Sequence, residues 1–320
     1  MESSRAGRRR RARRSRRRPL LFSVLAVVAV VGVTAGGTVY VKARAHDGSA
    51  AVSSAASPSV SSSAAAGEEA SVEPATEPAA VDRKALLSKA MASVSVPSGA
   101  RVSAAVLELD SGESATYGEA AFDTASIVKV DILAALLLQA QDAGRRLTAA
   151  EKAYATKMIE NSDNASATAL WHAIGRASGL DTANRRFGLA ATSGGDGELW
   201  GLTQTTAADQ LALLQQVFGE DSVLSTASRT YVQGLMKGVE ADQQWGVSAA
   251  AVGSSWALKN GWLARSTTGL WDVNSIGRVT VDGSDYLVAV LSEGTVSQAK
   301  GISLVEAAAK AAVSGFAAAS

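Results

Sequence analysis

The chain has no cysteine and only two histidines among its 320 residues. Without cysteine there is no disulfide and no lipid attached through a thiol. Two histidines, His46 and His172, cannot assemble a zinc site with two or three His or Cys ligands, so no metal and no other cofactor is expected. A Ser-His-Asp triad would have to recruit His172, which directly follows Trp171 in an apolar helical stretch. A packing or surface histidine is expected there. A hydrolase built from this chain therefore draws on a base other than histidine.

Charge is also scarce where the net value suggests balance. The formal charge of +1 conceals a split, because ten arginines lie within residues 5–18, opposed only by Glu2. Lys42 and Arg44 take two more of the 31 basic residues, leaving 19 basic against 29 acidic residues from position 45 onward. A basic run can be a nucleic-acid tail, but its neighbour argues against a nucleic-acid partner. Pro19 to Val41 is 23 residues without a charge. At about 1.5 Å per residue such a helix spans the ~30 Å hydrocarbon core, whereas the apolar core of a cleaved signal peptide is only about 7–15 residues long. Residues 1–18 are read as a basic cytoplasmic tail and 19–41 as a transmembrane signal anchor, which leaves everything after it outside the cell. The alternative is secretion after cleavage near Ala45, since Ala43-Arg44-Ala45 suits a signal peptidase.

Residues 42–78 are rich in Ala, Ser, Glu and Pro with almost no large apolar side chain, the composition of a disordered tether. A folded domain is expected over 79–320. Ala80 to Val94 reads as an amphipathic helix with Ala85, Leu86 and Leu87 on its apolar face. Val102 to Glu108 alternates as a strand, Asp110-Ser-Gly112 turns, and Ser114 to Gly118 returns as its hairpin partner. From Thr124 the pattern becomes a helix that is apolar nearly all round, which belongs in the centre of a domain. Helices follow at Leu147–Glu160 with Thr148 as N-cap, Ala165–Ile174, Asp181–Phe187 and Thr206–Phe218. Strands return at Ser255–Leu258, Trp271–Val281 and Tyr286–Ser292, the last two joined at Asp282-Gly283. An alanine-rich helix closes the chain over about Ile302–Ala318. This is an α+β pattern: a five-stranded antiparallel sheet flanked by terminal helices, with an all-helical subdomain between the early and late strands. A monomer is expected.

Three short motifs carry the chemistry. In Ser126-Ile-Val-Lys129 the serine and lysine stand three apart at a helix start, hence on one face. Burial under the apolar helix would push the Lys129 pKa down and supply a neutral amine as base. The same spacing recurs at Ser297 and Lys300, so the motif alone proves little. Ser162-Asp163-Asn164 lies between two helices, where a tight turn aims side chains into a cleft. Lys259-Asn260-Gly261 follows a strand; its cation suits a substrate carboxylate, and Gly261 permits close backbone approach.

In this order, and with their flanks, the motifs resemble the class A β-lactamase and penicillin-binding serine acyltransferase group. Met158 to Leu170 is similar to that group's loop and following helix, and Val102 to Lys129 to its hairpin-then-nucleophile layout. The resemblance covers residues 80–318. It implies Ser126 as acylated nucleophile, Lys129 as general base and Ser162 as proton relay to the leaving nitrogen. It further implies Lys259 as a source of positive potential, Asn164 as holder of the substrate's amide side chain, and backbone N–H groups of Ser126 and Trp262 as an oxyanion hole.

Three departures from the group stand out. Asn260 replaces its usual Thr or Ser, leaving a side chain that can still bond a carboxylate. Ser126 and Ser162 are only 36 residues apart, which implies an opener cleft. The Glu-x-x-Leu-Asn pattern that supplies the deacylating base is absent, and residues 187–205 hold only Asp196 and Glu198 as carboxylates. The expected protein is a membrane-anchored extracytoplasmic serine hydrolase that acts on β-lactams or D-alanyl cell-wall peptides and deacylates slowly. The alternatives are a D,D-peptidase or transpeptidase, and a non-catalytic covalent β-lactam sensor or wall-binding module. Of the six tryptophans between Trp171 and Trp271, Trp262 is the one placed to stack on a substrate; the others read as core or rim anchors.

Overall fold

The computed structural model describes residues 81–318, which lie within one compact unit. The basic tail, the 19–41 span and the 42–78 tether lie outside the described residues. Among the described residues no helix is long and apolar enough to cross a membrane.

The elements run α1 (Arg83–Met91), β1 (Arg101–Glu108), β2 (Ser114–Tyr117), β3 (Phe122–Asp123), α2 (Val128–Asp142), α3 (Ala149–Glu160), α4 (Asn164–Ala173), α5 (Arg176–Phe187), β4 (Gln204–Thr205), α6 (Ala207–Phe218), α7 (Thr226–Lys237), β5 (Trp256–Ala264), β6 (Trp271–Val281), β7 (Ser284–Thr295) and α8 (Gln298–Ala317). Five strands form one sheet in the order β2-β1-β7-β6-β5, antiparallel throughout. The last strands thus lie between the hairpin and the edge strand β5, so the sheet joins the two ends of the domain. A two-stranded sheet pairs β3 with β4.

The sheet is covered on both faces. Ala104 and Val106 of β1 pack with Leu87 of α1 and with Val305 and Ala308 of α8. Ala105 and Leu107 face the helical side, where α2 supplies Ile132, Leu133 and Leu136. Two buried faces explain a departure from the alternation expected of residues 102–108. Every residue from Ser103 to Glu108 is buried, so only the partner layer alternates. The α2 helix is buried almost all round, as its apolar sequence requires.

Helix starts follow their capping chemistry. Thr148 accepts from the Glu151 amide and the Glu151 carboxylate accepts from the Thr148 amide, closing a capping box. Ser297 accepts from the Lys300 amide at the start of α8, so the second Ser-x-x-Lys is a helix cap. The first helix is shorter than expected, and of its three candidate apolar residues Leu87 is buried while Ala85 is exposed. Helix α7 lies in a stretch for which no element was expected. Ser225 caps it, and Val232, Leu235 and Met236 turn one face inward.

Candidate active site

The edge strand β5, the start of α2 and the turn before α4 converge. Ser126 lies on a 3₁₀ turn, Ala125–Ile127, that leads directly into α2. Thr124 donates its amide to the Thr203 carbonyl at 2.9 Å. The fully buried Asn274 of β6 donates to the carbonyls of Asp123 and Thr124 at 2.9 and 3.0 Å. From the other side the Gly261 backbone presses on the turn. A Cβ there would lie 2.7 Å from the Ser126 nitrogen and 2.9 Å from the Thr124 carbonyl oxygen, so only glycine fits without displacement. Ala125 has φ +48° and Ser162 φ +54°, left-handed conformations that side-chain-bearing residues rarely adopt. Such strain clusters where the surrounding structure fixes functional groups.

Three of the four expected catalytic residues meet in a hydrogen-bonded cluster. The Lys129 amine donates to the Ser162 carbonyl at 2.7 Å, the Ser162 hydroxyl at 3.1 Å and Asn164 Oδ1 at 2.8 Å. The Lys259 amine reaches the same Ser162 hydroxyl at 3.1 Å and also donates to the Asn260 carbonyl. The fourth, Ser126, is half-buried beside them on the cleft wall. The Lys129 amine bonds Ser162 and Asn164 rather than the Ser126 hydroxyl, so the ligand-free geometry holds the base on its relay side.

Electrostatics follow from burial. Both lysine side chains are fully buried. Loss of hydration pushes Lys129 down to about 7, opposed by the neighbouring Asp163 carboxylate. Lys259 falls well below the ordinary lysine range, through burial first and the nearby Lys129 charge second. Asp163 caps α4 by accepting from the Ser166 amide, and the bonds from Ser166 hold its carboxyl below the usual range.

A cleft of about 580 Å³ opens over these groups, with Ser126, Asn164, Thr168, Trp200, Trp262 and Arg265 among its lining. One sequence expectation is corrected here. Asn260 does not address a substrate carboxylate: its NH₂ donates to the backbone carbonyls of Gln243 and Trp245 at 2.7 and 3.0 Å, and the residue is 1% exposed. Strand geometry is the reason, since side chains alternate with a period of two. Lys259 shares a face with Ala257 in the core under the cleft, and Asn260 shares the opposite face with Trp256 and Leu258. Trp262 lines the cleft as expected of its position, and its ring packs against Trp245 at a centroid distance of 5.9 Å.

The loop between α5 and α6 contributes what the motifs did not announce. Trp200 places its ring 4.9 Å from the Lys129 amine, and its indole N–H donates to Thr168 Oγ1 at 3.1 Å. Glu198 bonds the exposed His172 at 2.6 Å and Arg176 at 2.9 Å, and the His172 bond holds its carboxyl below the usual range. Arg265, at the end of β5, is ion-paired with Asp123. Among the described residues no cluster of His, Cys, Asp or Glu could hold a metal ion.

Comparison with known proteins agrees with this architecture. The fold matches that of PBP-A, at a TM-score of 0.63 and 20% identity over 73% of this chain and 96% of that one. It matches equally a class A beta-lactamase from Bacteroides cellulosilyticus DSM 14838, at a TM-score of 0.63 and 16% identity over 74% and 99%. A mutant of PBP-A, solved as an acyl-enzyme complex with penicillin G, matches at 0.61 and 21% over 73% and 97%. No curated protein matches the chain. The model of the Beta-lactamase enzyme family matches residues 150–316, more than half of the chain, a span that includes Ser162 and Lys259 and begins after Ser126 and Lys129. On that match and the fold it accompanies, the chain belongs to the Beta-lactamase enzyme family.

Proposed function

We propose that the protein is a serine acyl-transfer enzyme that forms a long-lived acyl ester on Ser126 with β-lactams or D-alanyl cell-wall peptides. The observation that carries this reading is the Ser162 hydroxyl held between two buried amines, at 3.1 Å from each. Such a hydroxyl accepts a proton on one side and hands it on from the other.

In the forward step Ser126 Oγ bonds the substrate's amide carbonyl carbon while its proton passes to the neutral Lys129 amine. The tetrahedral oxyanion sits against the backbone N–H groups of Ser126 and Trp262, each donor of this kind contributing roughly 3 kcal/mol. The C–N bond then breaks. Ser162 protonates the leaving nitrogen and is reprotonated from Lys129, so no proton is lost or gained. Lys259 adds positive potential at Ser162 when it carries its proton, and Asn164, its Oδ1 committed to Lys129, offers its NH₂ to a substrate carbonyl.

Deacylation requires a water and a base. No carboxylate from the α5–α6 loop bonds Lys129; the loop residue that meets the amine is Trp200. Glu198 is committed to His172 and Arg176. Slow ester hydrolysis follows, which favours a penicillin-binding enzyme over an efficient β-lactamase. The basic tail and the uncharged 23-residue span are the grounds for a single-pass membrane anchor with the domain outside the cell; the alternative is a secreted form cleaved near Ala45.

The test is burst stoichiometry with the full-length chain in detergent and a chromogenic cephalosporin. About one ring opened per protein followed by a near-stop is expected. Sustained turnover would make it a true β-lactamase, and no opening with release of D-alanine from a D-alanyl peptide would make it a peptidase alone. Fractionation of cells carrying an N-terminally tagged chain tests the anchor: tag and domain together in the membrane support it, and a tag-free secreted domain supports cleavage.

A further inference from the structure

We propose that Trp200 is a gate that keeps water from the Lys129 side of the acyl–Ser126 ester. The proposal rests on the acyl-enzyme reading above and assigns a cause to the slow hydrolysis within it.

The placement of the indole carries the argument. The Trp200 ring lines the cleft, whereas the Lys129 amine, 4.9 Å from the ring centroid, is fully buried. With Ser126 and Asn164, the ring is one of the groups that separate the amine from the open space. A trapped water needs roughly two to four polar partners. On this side the neighbour of the Lys129 amine is the Trp200 ring. An aromatic face adds no partner of comparable strength. A water beside the amine is thus excluded by volume and poorly held if admitted.

The ring is also fixed from several directions. Its N–H is bonded to Thr168 on α4. Just beyond the ring the loop is tied to the nucleophile's own turn, through Thr124 N–H to the Thr203 carbonyl at 2.9 Å. Just before it, the buried Trp171 donates to the Gly197 carbonyl at 2.8 Å. Swinging the indole out would break the Thr168 bond and pull against both anchors.

Without the ring, water could occupy the volume next to the amine. In that step the water oxygen bonds the ester carbonyl carbon, its proton passes to neutral Lys129, and the Ser126 Oγ–carbon bond breaks. Serine is regenerated by the same proton. Lys129 then acts as the hydrolytic base that it cannot be in the native protein.

The experiment follows the lifetime of the benzylpenicillin adduct by intact-mass spectrometry on the full-length chain and its Trp200→Ala and Trp200→Phe variants. Acylation rates are measured in parallel. Trp200→Ala is expected to lose the adduct about tenfold faster or more, with hydrolysed penicillin accumulating, because a general base contributes at least that much. Trp200→Phe, which keeps an aromatic plug, is expected to retain most of the lifetime. An Ala variant whose adduct lasts as long as the wild type overturns the gate, as does a Phe variant that accelerates as much as Ala. Where Trp200→Ala fails to fold, Thr168→Val removes the ring's hydrogen bond while keeping the side chain's volume. A shortened lifetime supports the gate there, and an unchanged one overturns it. Absence of any adduct on the wild type contradicts the acyl-enzyme reading itself, an outcome distinct from an adduct indifferent to Trp200.

Discussion

Lys129 of α2 and Lys259 of β5 approach one hydroxyl, that of Ser162, at 3.1 Å each. Two ammonium groups in that position repel, so protonating either disfavours protonating the other. Burial is the larger effect and lowers both pKa values. Lys129 is thereby set to exchange its proton near neutral pH, where an ordinary lysine would stay charged.

Acylation should accordingly rise with pH through about 7, as Lys129 loses its proton. The measurement is the adduct-formation rate with benzylpenicillin between pH 5 and 9. A flat profile would contradict Lys129 as base. The linked effect on stability has a definite sign. Between about 7 and 10.5 the unfolded chain binds the proton that folded Lys129 has released, so this group makes stability rise with pH over that window.

Gly261→Ala should cut acylation roughly 100-fold, because its Cβ would meet the Ser126 and Ile127 nitrogens at 2.7 and 2.8 Å and push the strand off the nucleophile turn. Rapid-quench acylation kinetics measure this. An activity within a few-fold of wild type would mean the turn and strand separate at little cost.

Asn260→Ala should act on folding more than on binding. It leaves the Gln243 and Trp245 carbonyls without their donor inside the protein, which costs about 1–3 kcal/mol. Urea unfolding reads the loss, and acylation per folded molecule should stay close to wild type. A large drop in acylation with unchanged stability would restore Asn260 to the substrate site.

Asp131, two residues beyond Lys129, is buried without a cation beside it. Burial pushes its carboxyl up to about 8, with Asp181 and Asp209 raising it further and the hydrogen bond from Asn184 opposing. Here the folded state holds a proton that the unfolded chain releases from about 4 upward, so this group makes stability fall as pH rises from 4 to 8. Asp131→Asn should flatten the stability profile between pH 5 and 7. An unchanged slope in paired urea titrations would show that Asp131 is ionised in the fold.

Glu198→Gln should leave the adduct lifetime unchanged, because that carboxylate is tied to His172 and Arg176. A lifetime extended tenfold would identify it as a water base after all.

Most of the fold was legible because its signals are local. The Thr148 box, the apolar run of α2 and the Asp282-Gly283 turn each specify an element without knowledge of its neighbours. Ser162 and the two lysines were legible as motifs, and the fold brings their side chains together. The orientation of Asn260 was implicit in strand periodicity, since a residue next to Lys259 must face the other way. Trp200 gave no such signal: it sits on a short 3₁₀ turn in the connection from α5 to β4, and only the tertiary fold brings it to Lys129. Asn274 is an intermediate case. A polar residue buried on β6 demands a partner, but the sequence does not say that the partner is the nucleophile's turn. Helix α7 went unread although Ser225 and the spacing of Val232, Leu235 and Met236 mark it.

The central claim is an acyl ester on Ser126, and intact-mass spectrometry tests it most directly. The full-length chain and Ser126→Ala are incubated with benzylpenicillin, and the adduct is mapped by peptide fragmentation. The account predicts a persistent adduct of one penicillin on the wild type, located on Ser126 and missing from the variant. An adduct on the variant, or a wild type with neither adduct nor loss of drug, would contradict it.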